Sequence, residues 1–126
     1  MKKFILTGLL AFAAVLLLTN GTKLCNLDEN VDCDDPSQII SCYFNKMADT
    51  IHAGEYCDFS YSGSDNATDW YWSFQTSDGV LRGDPASTKE RNPRVYFNTP
   101  ATYQIYCEAK NECYSDNETM YLVVIP

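Results

Sequence analysis

Apolar side chains recur at every second position through most of this chain after residue 39, and that period leaves few ways to fold. In Tyr103–Lys110, the residues Tyr103, Ile105, Cys107 and Ala109 fall on one side, and Gln104, Tyr106 and Glu108 on the other. Such alternation builds a strand with one buried face. In Glu55–Tyr61, Cys57, Phe59 and Tyr61 share one face, and Tyr56, Asp58 and Ser60 the other. Over Trp70–Phe74 the period groups Trp70, Trp72 and Phe74 and turns Tyr71 and Ser73 away from them. Ile40–Met47, Arg94–Phe97 and Thr119–Ile125 read as further strands. Turn-rich stretches separate them, among them SGSDNATD, NTPA and the long QTSDGVLRGDPASTKERNP, which leaves room for one short edge strand. No segment sustains a helical period with capping residues. Short strands at this spacing predict an all-β fold, a two-sheet antiparallel β-sandwich.

The cysteines add a covalent constraint. All six (Cys25, Cys33, Cys42, Cys57, Cys107 and Cys113) follow an N-terminal MKKFILTGLLAFAAVLLLTNG. There, Lys2 and Lys3 precede an apolar run, Phe4–Leu18, and then small polar residues, as in a secretory signal peptide over 1–21. Thr19 and Gly21 suit the −3 and −1 sites, which puts cleavage after Gly21. The run falls short of the roughly 20 apolar residues that a membrane span needs, so an uncleaved anchor is disfavoured and the mature chain is expected to carry no span. Lys23 and Leu24 are poor neighbours for a lipidated Cys25. An even cysteine count in a small exported chain predicts disulfides. Zinc ligation lacks both a C-x2-C pair and a second histidine beside His52. Cys57 and Cys107 both belong to inward-facing sets, which predicts an inter-sheet disulfide worth about 4 kcal/mol, with Trp72 packed against it.

Charge narrows the partners. The chain carries 17 acidic and 9 basic residues, and loss of Lys2 and Lys3 with the leader takes the net charge from −8 to −10. Such a surface repels phosphate backbones, so nucleic acid is excluded as an expected partner, and anionic membrane surfaces fare no better. Residues 22–38 read as an acidic linker, with Asp28, Glu29, Asp32, Asp34 and Asp35 close together. They lack the glycine turn and the D-x-D-x-D spacing of a calcium loop, so no metal site is expected.

Three stretches carry a family resemblance: AGEYCDF (53–59), WYWSFQTSDG (70–79) and NPRVYFNTPATYQIYCEAKNE (92–112). In Asn92-Pro93, Val95, Phe97, Pro100, Tyr103, Ile105, Ala109 and Asn111 the chain resembles a PKD domain, the immunoglobulin-like module of polycystin and of many prokaryotic surface proteins. The resemblance spans residues 39–126. Ser73 and Gln75 stand where the family usually has Asp and Gly, so the turn after that strand is expected to be rebuilt. Ala101 replaces a glycine, and Cys57 and Cys107 replace apolar residues. A true immunoglobulin domain would place a tyrosine two residues before Cys107, where Ile105 stands. The PKD topology implies that Cys42 and Cys113 are neighbours, leaving Cys25 with Cys33. Sequence alone leaves all three pairings of those four cysteines open.

Catalytic signatures are missing. No phosphate loop, G-x-S-x-G or H-E-x-x-H occurs, His52 reads as a surface residue, and Asp65, Asp69, Asp78 and Asp84 sit in turns. The expectation is a non-enzymatic module without cofactor. Period two turns Tyr71, Ser73, Gln104, Tyr106, Glu108 and Tyr121 outward on one sheet, a face suited to sugar rings or a protein partner. The resemblance implies protein or carbohydrate contact at the cell surface or outside the cell, with self-assembly into an extracellular structure as the alternative. Asn-x-Thr triplets at Asn20, Asn66 and Asn117 are glycan acceptors only in a eukaryotic host, and the last two are expected in loops.

Overall fold

The computed structural model describes residues 31–126 and the backbone of Thr22–Lys23. The expected leader and Cys25 lie outside the described residues. The fold is all-β. In chain order the strands are β1 (Thr22–Lys23), β2 (Phe44–Lys46), β3 (Thr50–His52), β4 (Glu55–Tyr61), β5 (Asp69–Thr76), β6 (Ser87–Thr88), β7 (Arg94–Phe97), β8 (Ala101–Lys110) and β9 (Tyr114–Ile125). A single turn of 3-10 helix covers Pro36–Gln38, where the Asp35 carboxylate accepts from the Ser37 N–H at 3.0 Å. Among the described residues, no helix is long and apolar enough to cross a membrane.

The strands form two sheets. The larger runs β1-β9-β8-β5-β6, with β3 also paired to β9, and the smaller runs β2-β4-β7. β4 and β7 fall where the alternation predicts them. β3 does not announce itself in the sequence, because only Ile51 is buried between exposed Thr50 and His52. It forms because β9, twelve residues long, has an edge to offer: Thr50, Ile51 and His52 lie parallel to Val123, Val124 and Ile125.

β2 is shorter than the expected Ile40–Met47, and its neighbourhood shows why. The amides of Cys42 and Phe44 have no strand partner and instead donate to carboxylates on β9. Cys42 N–H reaches Asp116 Oδ2 at 2.8 Å, and Phe44 N–H reaches Glu118 Oε2 at 3.0 Å. Phe44 is almost fully buried. Glu118→Ala therefore strands a shielded N–H and is expected to lower stability by about 1–3 kcal/mol, whereas Glu118→Gln keeps an acceptor and costs less. Urea unfolding followed by circular dichroism measures both.

Aromatic rings from both sheets meet in one core. Trp72 of β5 lies 5.0 Å from Phe44 and 5.8 Å from Phe59 between ring centres. Phe59 continues to Phe74 at 5.3 Å, Phe74 to Phe97 at 5.9 Å, and Phe97 to Tyr103 at 4.8 Å. The predicted inward sets are buried as expected: Cys57, Phe59 and Tyr61 on β4, and Tyr103, Ile105, Cys107 and Ala109 on β8. Trp70, at the sheet's end, is only half-buried, edge-on to Tyr61 at 5.6 Å with the Arg91 guanidinium over both rings.

The disulfide pattern departs from expectation. Cys33 bonds to Cys113, across 80 positions, while Cys42, Cys57 and Cys107 are free thiols. This corrects the expected Cys42–Cys113 and Cys25–Cys33 pairs. The β8–β9 turn leans on residues 33–38: Asn111 Nδ2 donates to Gln38 O at 2.9 Å, and the Tyr114 hydroxyl donates to Cys33 O at 3.0 Å. Asn111 Oδ1 also accepts from the Cys113 and Tyr114 N–H groups, which fixes the turn that carries Cys113. Residues 33–38 are thus fastened to the tip of the β8–β9 hairpin.

Cys57 and Cys107, expected to bridge the sheets, face the same core at different heights. Cys57 pairs with Val95 in register, while Trp72 pairs with Cys107. Phe59, two residues beyond Cys57, already occupies the Trp72 level. Alternation assigns a face, but it does not assign a height along the strand.

Candidate functional site: the outer face of the large sheet

The outer face of β5, β8 and β9 follows from their pairing. Tyr71 lies opposite Glu108, Ser73 opposite Tyr106, Tyr106 opposite Thr119, and Gln104 opposite Tyr121. Tyr71, Tyr106 and Tyr121 therefore occupy successive diagonal positions across three adjacent strands. Diagonal neighbours on one sheet face lie within reach of aromatic side chains. Tyr71 and Tyr106 meet edge to face at 6.5 Å between ring centres. Tyr71 is 37% exposed and Tyr121 61%. Burial, reinforced by the Glu108 carboxylate, pushes the Tyr106 phenol above its usual range, so its hydroxyl stays protonated and able to donate at neutral pH.

Five of the six sequence-predicted residues are accessible on this face. Gln104 is exposed, and Tyr106 and Glu108 are half-buried between the flanking strands. Ser73 is the correction: it points to the expected face but is buried, its short side chain lying between Tyr106 of β8 and Ser87 of β6. The face continues along β9 to Val123 and Ile125, which are 38% and 37% exposed.

A recess of about 360 Å³ opens where the row reaches Tyr71, lined by Thr68, Asp69, Trp70, Tyr71, Lys89, Glu108 and Lys110. Sequence reasoning missed the two lysines, because Lys89 comes from the long loop and its position depends on β6 docking beside β5. A second, acidic cleft of about 610 Å³ lies near the Cys33–Cys113 end, with Asp32, Asp35, Asp69 and Glu112 in its wall. Among the described residues, no group of three or more His, Cys, Asp or Glu side chains is arranged to hold a metal ion.

The other polar candidates serve the backbone. Asp78 accepts from the Thr76 hydroxyl and from the Val80 N–H, which hold its carboxyl below the usual carboxylate range. That set closes the turn after β5. His52 lies in β3, exposed, with Nδ1 3.1 Å from the Pro126 carbonyl. Asn66 donates its amide hydrogens to Ser37 O and Ile39 O. Asn117 lies within β9, not in a loop, exposed and opposite Glu108.

The smaller sheet has its own aromatic pair, Tyr56 and Tyr96, 5.2 Å apart. There the Arg94 guanidinium covers Tyr56 at 5.6 Å and is held to Asp58 at 2.7 and 3.0 Å. In that cluster the cation is taken up by Asp58, whereas among the described residues no cation lies over Tyr71 or Tyr121. Compared with known proteins, the chain matches no family model and no curated protein.

Proposed function

We propose that the chain is a secreted, non-enzymatic β-sandwich of the PKD type that binds protein or carbohydrate at the cell surface through the outer face of β5, β8 and β9. The observation that carries this reading is the diagonal of Tyr71, Tyr106 and Tyr121 across three hydrogen-bonded strands. Aromatic faces next to hydroxyl, amide and carboxylate groups suit a sugar ring, which has an apolar face and a hydroxyl rim, and suit a protein epitope equally. The sandwich part of the proposal rests on the aromatic core shared by the two sheets, where Trp72 of the larger meets Phe44 and Phe59 of the smaller.

The test is retention on a glycan array and on an immobilised cell-surface fraction, comparing the native chain with Tyr71→Ala and Tyr106→Ala. Each variant is expected to lose about thirtyfold in affinity, the scale of an interface hot spot. Each should change stability by no more than about 1 kcal/mol, the scale of a cross-strand aromatic pair. Undiminished retention in both variants would remove this face from consideration.

One observation favours a second reading, a structural subunit of an extracellular assembly. Tyr121, Val123 and Ile125 leave an exposed apolar line on β9. Concentration-dependent association in sedimentation, lost on Tyr121→Ser, is the result that would select assembly over ligand binding.

A further inference from the structure

We infer that Cys42 and Cys107 are partners in a second disulfide, which forms when the chain folds under oxidising conditions. Their sulfurs lie 3.7 Å apart, in contact and shielded from solvent, with Cys42 2% and Cys107 0% exposed. A disulfide needs a separation of about 2.0 Å, so side-chain rotation has under about 2 Å to close. The Cys42 backbone is already held beside its target. Its N–H donates to Asp116 Oδ2 at 2.8 Å, and its thiol lies 3.4 Å from the Cys107 carbonyl oxygen.

The other thiol of the core has no such partner. The Cys57 sulfur lies 3.9 Å from Asp58 O, and Cys57 pairs in register with Val95 of β7, while Cys107 pairs with Trp72 of β5. Cys33 and Cys113 are joined to each other. Among the described cysteines, Cys42 and Cys107 are the unbonded pair whose sulfurs touch.

The reaction is thiol–disulfide exchange with a disulfide-bearing oxidant such as glutathione disulfide. A thiolate of the pair attacks the oxidant and releases one thiol. The second cysteine then attacks the mixed disulfide and releases the other. Two protons and two electrons pass to the oxidant, which leaves as two thiols, and one S–S bond forms in the protein. Contact with Cys42 and burial push the Cys107 thiol above its usual range, so attack is disfavoured once the core has closed. The exchange belongs to the stage before residues 40–46 dock, and the finished bond is then protected from reductants by the same burial.

Both bridges join the same two pieces of chain. Cys33 and Cys42 lie nine positions apart in the N-terminal segment, and Cys107 and Cys113 six apart in the β8–β9 hairpin. The segment is then stapled at the hairpin tip and again at the core strand.

The test is disulfide mapping of the chain after it has been reduced and unfolded in denaturant and refolded in a glutathione redox buffer. The protein is alkylated in denaturant at acidic pH, then digested without reduction. The expected result is a cross-linked peptide joining Cys42 to Cys107, with Cys57 carrying the alkyl group. Alkylation of both Cys42 and Cys107, or a cross-link from either to any other cysteine, overturns the inference. A Cys57→Ala variant gives an independent reading. It should leave the Cys42–Cys107 peptide at full yield, and disappearance of that peptide would show that Cys57 takes part.

Discussion

Trp72→Ala is expected to lower the stability of this domain by about 3–5 kcal/mol, the upper range for truncating a buried aromatic residue. Trp72 is fully buried, is the largest side chain in the core, and joins β5 to Phe44 of β2 and Phe59 of β4. Its removal leaves a void on the common boundary of the two sheets. Trp72→Phe should be far milder. The Trp72 Nε1–H is buried without a protein acceptor, so replacing the indole removes a polar group that gains nothing from its setting. Guanidinium unfolding followed by far-ultraviolet circular dichroism measures both variants. Equal losses for Ala and Phe would mean that the indole is held by something other than ring packing.

The second large effect is covalent. Cys33→Ser with Cys113→Ser opens a loop of 80 positions, worth about 4.5 kcal/mol in the chain-entropy relation. That figure holds when no other bridge spans the same region. If Cys42 and Cys107 are also joined, the Cys33–Cys113 bond closes only a ring of fewer than about 20 residues, and its loss costs nearer 3 kcal/mol. The unfolding midpoint of the double variant, measured with and without reductant, separates the two cases. A further drop on adding reductant shows that a second bridge was still present.

Much of this structure is legible in residue order, and what is not legible has identifiable causes. The strands at Glu55–Tyr61 and Arg94–Phe97 are marked at both ends by turn residues, and period two fills the space between. β8 and β9 run longer than their alternation predicts, because Ala101, Thr102 and residues 114–118 extend through pairing rather than through apolar pattern. β3 is invisible, since three residues carry no period and its partner lies more than 70 positions away. The tyrosine face follows from parity alone, but the covering of Ser73 and the recess lined by Lys89 depend on where β6 comes to rest. The cysteines teach the same lesson. Parity correctly placed Cys57 and Cys107 toward the core, yet the contact of Cys107 is with Cys42, a residue brought there by the carboxylates of Asp116 and Glu118.

One consequence of the pairing concerns the order of events in time. β9 receives β1 at Ser115 and Tyr114, the Cys42 and Phe44 amides at Asp116 and Glu118, and β3 at Val123–Ile125. As the polypeptide emerges from the ribosome, β2 can pair with β4 and β4 with β7, but β1, β3 and the Cys42 and Phe44 amides have no partner until β9 has been synthesised. High contact order of this kind slows folding and leaves unpaired strand edges exposed in the interval. A nascent chain arrested before Tyr114 should therefore stay protease-sensitive around residues 42–44 and Thr50–His52, and one released beyond Ile125 should become resistant there.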